Sequence, residues 1–108
     1  MPQQISVREL KARLDAGDRL LLLDVREPEE HAIARLPGSV LIPLGELTVR
    51  LNELQPPPDG LIVVYCHHGI RSLSGAAYLE HVGIEPVASL TGGIDAWSAL
   101  IDPGVPRY

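Results

Sequence analysis

The sequence predicts an α/β fold around a mainly parallel sheet, and three observations carry that prediction. Short apolar runs alternate with segments of helical spacing along the whole chain. The run Leu61 to Tyr65 (LIVVY) is apolar and largely β-branched, the pattern of a strand buried on both faces. The length of 108 residues suits one domain, and no repeat or linker divides it, so residues 1–108 are read as a single unit.

The elements follow in order. Ser6-Val7-Arg8-Glu9 fits a capping box, and Ile5 and Leu10 are spaced for the accompanying hydrophobic staple. Val7, Leu10 and Leu14 mark one helical face, with Gly17 as its stop. Leu20 to Leu23 reads as a buried strand that delivers Asp24-Val25-Arg26-Glu27 at its exit. Glu29 to Ile33 is expected as a short helical turn, and Ser39 to Ile42 as a third strand between prolines. Leu47, Leu51 and Leu54 recur at helical spacing, ended by Pro56-Pro57-Pro58. After the LIVVY strand, residues 72–82 form an expected helix and Glu85 to Leu90 a further strand, broken by Gly92-Gly93. Ile94, Trp97 and Leu100 mark a last helix, with Trp97 in the core. The Pro- and Gly-rich stretch from Asp102 to Tyr108 is expected to be irregular. His31 and His81 are expected at the surface.

Composition narrows the function. Hydrophobic content of 45% with 21% charged residues is ordinary for a globular domain. A net charge of −5 with no basic block argues against nucleic acid as a partner. No apolar stretch approaches the ~20 residues of a membrane span, and Met1-Pro2-Gln3-Gln4 lacks a signal pattern. A single cysteine forms no internal disulfide, so the cytoplasm is the expected location. No motif calls for a bound cofactor.

That cysteine, Cys66, sits between the LIVVY strand and the following helix. A lone cysteine after an apolar strand is often a packing residue. A packing role needs neither the His67-His68-Gly69 sequel nor an arginine, Arg71, closing the turn. Gly69 gives the middle of the loop backbone freedom. Loop N–H groups and a helix N-terminus would then converge on Cys66 and attract anions. That is the position of a nucleophile. In α/β sheets, ligands bind beyond the carboxyl ends of the strands. The exits Asp24 to Glu27 and Cys66 to Arg71 would share that edge.

Four segments together resemble the rhodanese family. They are Ile5 to Leu10; Leu23 to His31 with Ala34 to Ser39; the loop Cys66 to Ser72; and Gly92 to Trp97. The resemblance implies a three-layer domain with a five-stranded, mainly parallel sheet flanked by helices. It also implies a sulfurtransferase whose loop cysteine, here Cys66, accepts a sulfane sulfur as a persulfide and passes it on. The tail from Ile94 to Tyr108 is similar to the C-terminal rhodanese domain of enzymes that adenylate sulfur-carrier proteins. The expected partners are a small anionic sulfur donor and a thiol or sulfur-carrier acceptor.

The loop Cys66, His67, His68, Gly69, Ile70, Arg71 and Ser72 is the expected binding site. Related phosphatases and arsenate reductases use a loop one residue longer, wide enough for a tetrahedral oxyanion, so loop length favours sulfur transfer. Arg71 is expected to bind an anionic donor such as thiosulfate. His67 and His68 are read either as hydrogen-bond donors to a persulfide or as exposed loop residues. No metal site is expected, since no further ligands stand at metal spacing. If the family's strand order applies, Arg26 would add positive potential near Cys66 and Asp24 would tie loops together. The alternatives are a non-catalytic docking module and, less favoured, a small cysteine phosphatase or arsenate reductase.

Overall fold

The structure, a computed structural model, describes residues 2–108. Five strands form one sheet: β1 (Gln3–Ile5), β2 (Leu20–Asp24), β3 (Val40–Leu41), β4 (Leu61–Tyr65) and β5 (Val87–Leu90). Their order is β1-β5-β4-β2-β3, and every pairing is parallel. Four helices flank it: α1 (Val7–Asp15), α2 (Pro28–Ile33), α3 (Arg71–His81) and α4 (Gly93–Leu100).

The central strand β4 explains the two-sided core. All five of its residues are buried, and successive side chains point to opposite faces. Leu61, Val63 and Tyr65 join the cluster that holds Leu10 of α1 and Ile94 and Trp97 of α4. Ile62, Val64 and the following Cys66 join the other cluster, with Ala76 and Leu79 of α3. An apolar run without alternation is what burial on both faces demands.

Local chemistry fixes α1 as expected. The Glu9 N–H donates to Ser6 Oγ at 3.1 Å, and the Ser6 N–H donates to Glu9 Oε1 at 3.3 Å. Ile5 and Leu10 are both buried in the same cluster, as a staple requires. Trp97 lies in the core.

Three elements differ from expectation. Residues 47–54 do not form one helix; two short 3₁₀ turns, Leu44–Glu46 and Leu51–Glu53, replace it. Leucine spacing alone does not make a helix here, because Leu47 and Leu51 reach the α3-side cluster from separate turns. The expected strand at Ser39 to Ile42 pairs only over Val40–Leu41. β1 has no counterpart in the sequence reading. It is a three-residue edge strand whose Gln3 and Gln4 are exposed, so neither apolarity nor alternation marks it.

Parallel pairing sets the site. β2 and β4 are neighbours with Asp24 in register with Tyr65. The strand exits carrying Arg26 and Cys66 therefore open on the same edge, where ligands bind in such sheets.

Candidate active site

Cys66 is 1% exposed and lies at the floor of the loop that joins β4 to α3. Two backbone N–H groups donate to its Sγ, that of Gly69 at 3.1 Å and that of Ser72 at 3.4 Å. Ser72 stands in the first turn of α3, so the partial positive end of that helix also faces the sulfur. The Ser72 hydroxyl is 3.6 Å from Sγ and 2.7 Å from the Ser89 hydroxyl of β5. Donors thus converge where charge on a thiolate or persulfide would sit. Ser89 carries no signal of this in the sequence.

Close approach of α4 holds the loop shut from the other side. The N–H groups of Ile94 and Asp95 donate to the carbonyls of Cys66 and His67, at 2.9 and 3.0 Å. Gly93 has φ +60°, and a Cβ there would collide with the Cys66 carbonyl. Gly69 has φ +98°, with Gly92 N 3.0 Å from where its Cβ would stand. Both positions require glycine.

Arg71 is not free. Its Nη1 and Nη2 donate to the two Glu30 carboxylate oxygens at 2.7 and 3.0 Å. Glu30 Oε1 also accepts from the Glu27 N–H at 3.1 Å, and Oε2 from the Tyr108 hydroxyl at 2.8 Å. The Arg71 bond chiefly holds the Glu30 carboxyl down to about 2, against an opposing push from burial. A depressed carboxylate stabilises the fold above its ordinary value of 4.5 and loses that contribution as pH falls toward about 2. Urea unfolding across that window should show a steeper stability loss for the native protein than for Glu30→Gln. Parallel curves would place the Glu30 charge outside the folding equilibrium.

Arg26 differs from its expected role. It is completely buried, and its guanidinium donates to both Asp24 oxygens at 2.8 and 2.7 Å, to the Ala34 carbonyl at 2.6 Å and to the Tyr108 hydroxyl at 2.7 Å. With its charge balanced by Asp24 and its donors occupied, it supplies a tie between segments rather than free positive potential. Asp24 is the other half of that tie. It also accepts from the Tyr65 hydroxyl at 3.3 Å and from His31 Nδ1–H at 2.8 Å. His31 is therefore not a free surface residue, whereas His81 is exposed.

Tyr108, like Ser89 and Glu30, is a site residue that sequence reasoning missed. Its segment is irregular, as predicted, yet it returns to the site. The Tyr108 ring stacks on His67 with centroids 3.9 Å apart and planes 9° apart, and His68 stacks on the other side of His67. Its hydroxyl bridges Arg26 and Glu30. Burial, and next the neighbouring His68, push His67 below the usual histidine value, which favours its neutral ring. Its Nε2 is buried without a partner. His68 is largely exposed.

His67, His68 and Asp95 bring ligand atoms within 4.8 Å of one another, a grouping that chain spacing did not reveal. Two features make it a poor metal cage. Stacked rings run their in-plane lone pairs side by side rather than toward one point. Asp95 is already bonded through both oxygens to Arg107, at 3.0 and 3.1 Å.

A shallow cleft of about 430 Å³ lies at the opposite edge, lined by Gln3, Arg13, Arg19 and Pro86 near the amino ends of the strands. The converging donors are at Cys66, not there.

Comparison with known proteins places the chain in a family. Residues 6–100 match the rhodanese-like domain. The chain belongs to the rhodanese family. It is 36% identical over 91% of its length to a sulfurtransferase of Allochromatium vinosum, covering 90% of that protein. It is also 36% identical to the probable adenylyltransferase/sulfurtransferase MoeZ of Mycobacterium tuberculosis, over 96% of this chain but only 26% of MoeZ. The chain thus spans about a quarter of that relative's length. A rhodanese-like domain protein from Staphylococcus aureus superposes with a TM-score of 0.82 at 30% identity, covering 98% of both chains. Rhodanese membership and sulfurtransferase-named relatives support sulfur transfer in general. Among the described residues, no helix is long and apolar enough to cross a membrane.

Proposed function

We propose that this rhodanese domain carries sulfane sulfur on Cys66, by double displacement. The observation that carries the reading is the convergence of the Gly69 and Ser72 N–H groups on Cys66 Sγ at the start of α3. The Cys66 thiolate attacks the outer sulfur of a donor, either thiosulfate or a persulfide. The donor's S–S bond breaks, and the remainder leaves as sulfite or a thiolate with the bonding pair. The transferred sulfur stays on Cys66 as a persulfide, held by donors already aimed at the site of charge and shielded from water by burial. A nucleophile then takes that outer sulfur and the Cys66 thiolate returns.

The acceptor is a thiophile such as a thiol or cyanide. Toward the activated, electrophilic C-terminus of a sulfur-carrier protein the outer persulfide sulfur is itself the nucleophile. It displaces the activating group to form an acyl disulfide, which a dithiol then reduces to the thiocarboxylate and the Cys66 thiolate. The carrier is favoured by MoeZ, whose name joins adenylyl and sulfur transfer and whose sequence this chain matches. The chemistry proceeds without a cofactor or metal, and the cytoplasm is its place.

Intact mass after incubation with each donor tests the reading. A gain of one sulfur, removed by cyanide, is the expected result, with no turnover of aryl phosphates. No gain from either donor would leave a docking module as the better account. Phosphate hydrolysis through Cys66 would promote the phosphatase.

A further inference from the structure

We infer that Glu30 selects the sulfur donor: by occupying Arg71 it turns the site away from a dianion and toward sulfur carried on an organic thiol, as a persulfide. This rests on the sulfur-transfer reading and narrows its donor class. Glu30 is a positioning and specificity residue, acting through Arg71.

The argument starts from charge pairing. Three guanidiniums enter the network around the loop, and each faces a carboxylate: Arg26 with Asp24, Arg71 with Glu30, and Arg107 with Asp95. The side-chain charges of the network therefore cancel pair by pair. The His67 ring, stacked between Tyr108 and His68, is pushed by burial toward its neutral form. Positive potential at the sulfur is left to the Gly69 and Ser72 N–H groups and the end of α3. Those suit the single charge of a thiolate or persulfide.

Glu30 is also held in place. Its carboxylate accepts four hydrogen bonds, two from Arg71 and one each from the Glu27 N–H and the Tyr108 hydroxyl. Tyr108 is itself fixed by its bond to buried Arg26 and by its stack on His67. A thiosulfate dianion that recruited Arg71 would have to break a bidentate pair and leave Glu30 uncompensated beside its own charge. A persulfide R–S–S–H needs no guanidinium. The Cys66 thiolate attacks its outer sulfur, the new S–S bond forms as the donor bond breaks, and R–S⁻ leaves with the bonding pair. The proton remains on the transferred sulfur until solvent takes it. Ile70, 76% exposed in the loop, offers an apolar surface to an organic donor and nothing to an inorganic dianion.

Two measurements test this, one independent of turnover. Calorimetric binding of thiosulfate is compared between Cys66→Ser and Cys66→Ser with Glu30→Gln. The added substitution should tighten binding at least about tenfold, the effect of freeing one charge-assisted contact. In proteins retaining Cys66, Glu30→Gln should raise the ratio of kcat/KM for thiosulfate to that for an alkyl persulfide with no charged substituent by a similar factor. Tyr108→Phe, which loses only the hydroxyl bridge, should shift both readouts in the same direction by less. Glu30→Asp, which keeps the charge, should hold the native ratio more closely than Glu30→Gln. Unchanged thiosulfate binding, or rates for both donors falling together, would overturn the inference and leave Glu30 a structural tie. Failure of the sulfur-transfer reading would show separately, as no sulfur gained by Cys66 from any donor.

Discussion

Cys66→Ser is expected to lower sulfur transfer by at least roughly 10³-fold while leaving the fold in place. A serine hydroxyl presents no anion at neutral pH and cannot hold a second sulfur. The rest of the loop would remain, because its shape comes from elsewhere. Ile94 and Asp95 N–H groups hold the Cys66 and His67 carbonyls, and glycines at 69 and 93 supply the positive backbone angles the loop needs. The Gly69 and Ser72 N–H groups, now aimed at Sγ, would meet an oxygen that also accepts. Exchanging a buried thiol for a hydroxyl so placed costs about 1 kcal/mol, a thermal shift below roughly 8 °C. Cyanolysis rates, intact mass and thermal melting monitored by circular dichroism measure the two halves of the prediction. Substantial transfer by the serine variant would remove Cys66 from the covalent step.

Asp24→Ala is expected to be the most damaging single change to stability. Asp24 and Arg26 are both completely buried, and Arg26 donates to both Asp24 oxygens. Removing the carboxylate leaves a buried guanidinium with no counter-ion and strips partners from His31 and the Tyr65 hydroxyl. Breaking one side of such a pair costs roughly 3–5 kcal/mol. A domain of this kind has only about 5–15 kcal/mol in total, so the melting temperature should fall by roughly 15 °C or more. Asp24→Asn keeps the shape and some hydrogen bonding but not the charge, and should fall between the two. Urea titration of the three proteins gives the order. A loss under about 1 kcal/mol for Asp24→Ala would mean that the Arg26 charge is balanced by other groups.

The parts of this protein written in contiguous residues were legible before the structure. Ser6 and Glu9 announce the start of α1, and an apolar run without alternation announces β4. Gly69 and the residues around Cys66 announce a strand–loop–helix junction with the cysteine at its start. In each case the signal and its physical cause lie within a few residues, or in a period of side chains along one element. Where the cause was tertiary, the local signal failed. β1 is a strand only because Gln3, Gln4 and Ile5 pair in register with Ala88, Ser89 and Leu90. Leu47 and Leu51 keep a helical spacing but meet the core from separate 3₁₀ turns.

By itself the sequence determined the α/β class and the strand–loop–helix junction around Cys66, and it supplied the sulfurtransferase reading. What it left to the tertiary structure was the disposition of charge around Cys66. Arg71 looked like a free anion receptor because nothing near it in the chain is acidic. Its partner Glu30 lies 41 residues away and meets it across the edge that parallel β2 and β4 share. Tyr108, 78 residues from Glu30, reaches the site only because the irregular tail folds back over His67. Ion pairs and ring stacks depend on distance in space, and sequence patterns record distance along the chain. The two coincide within a helix turn or a tight loop, and part company wherever separate strands deliver residues to one edge.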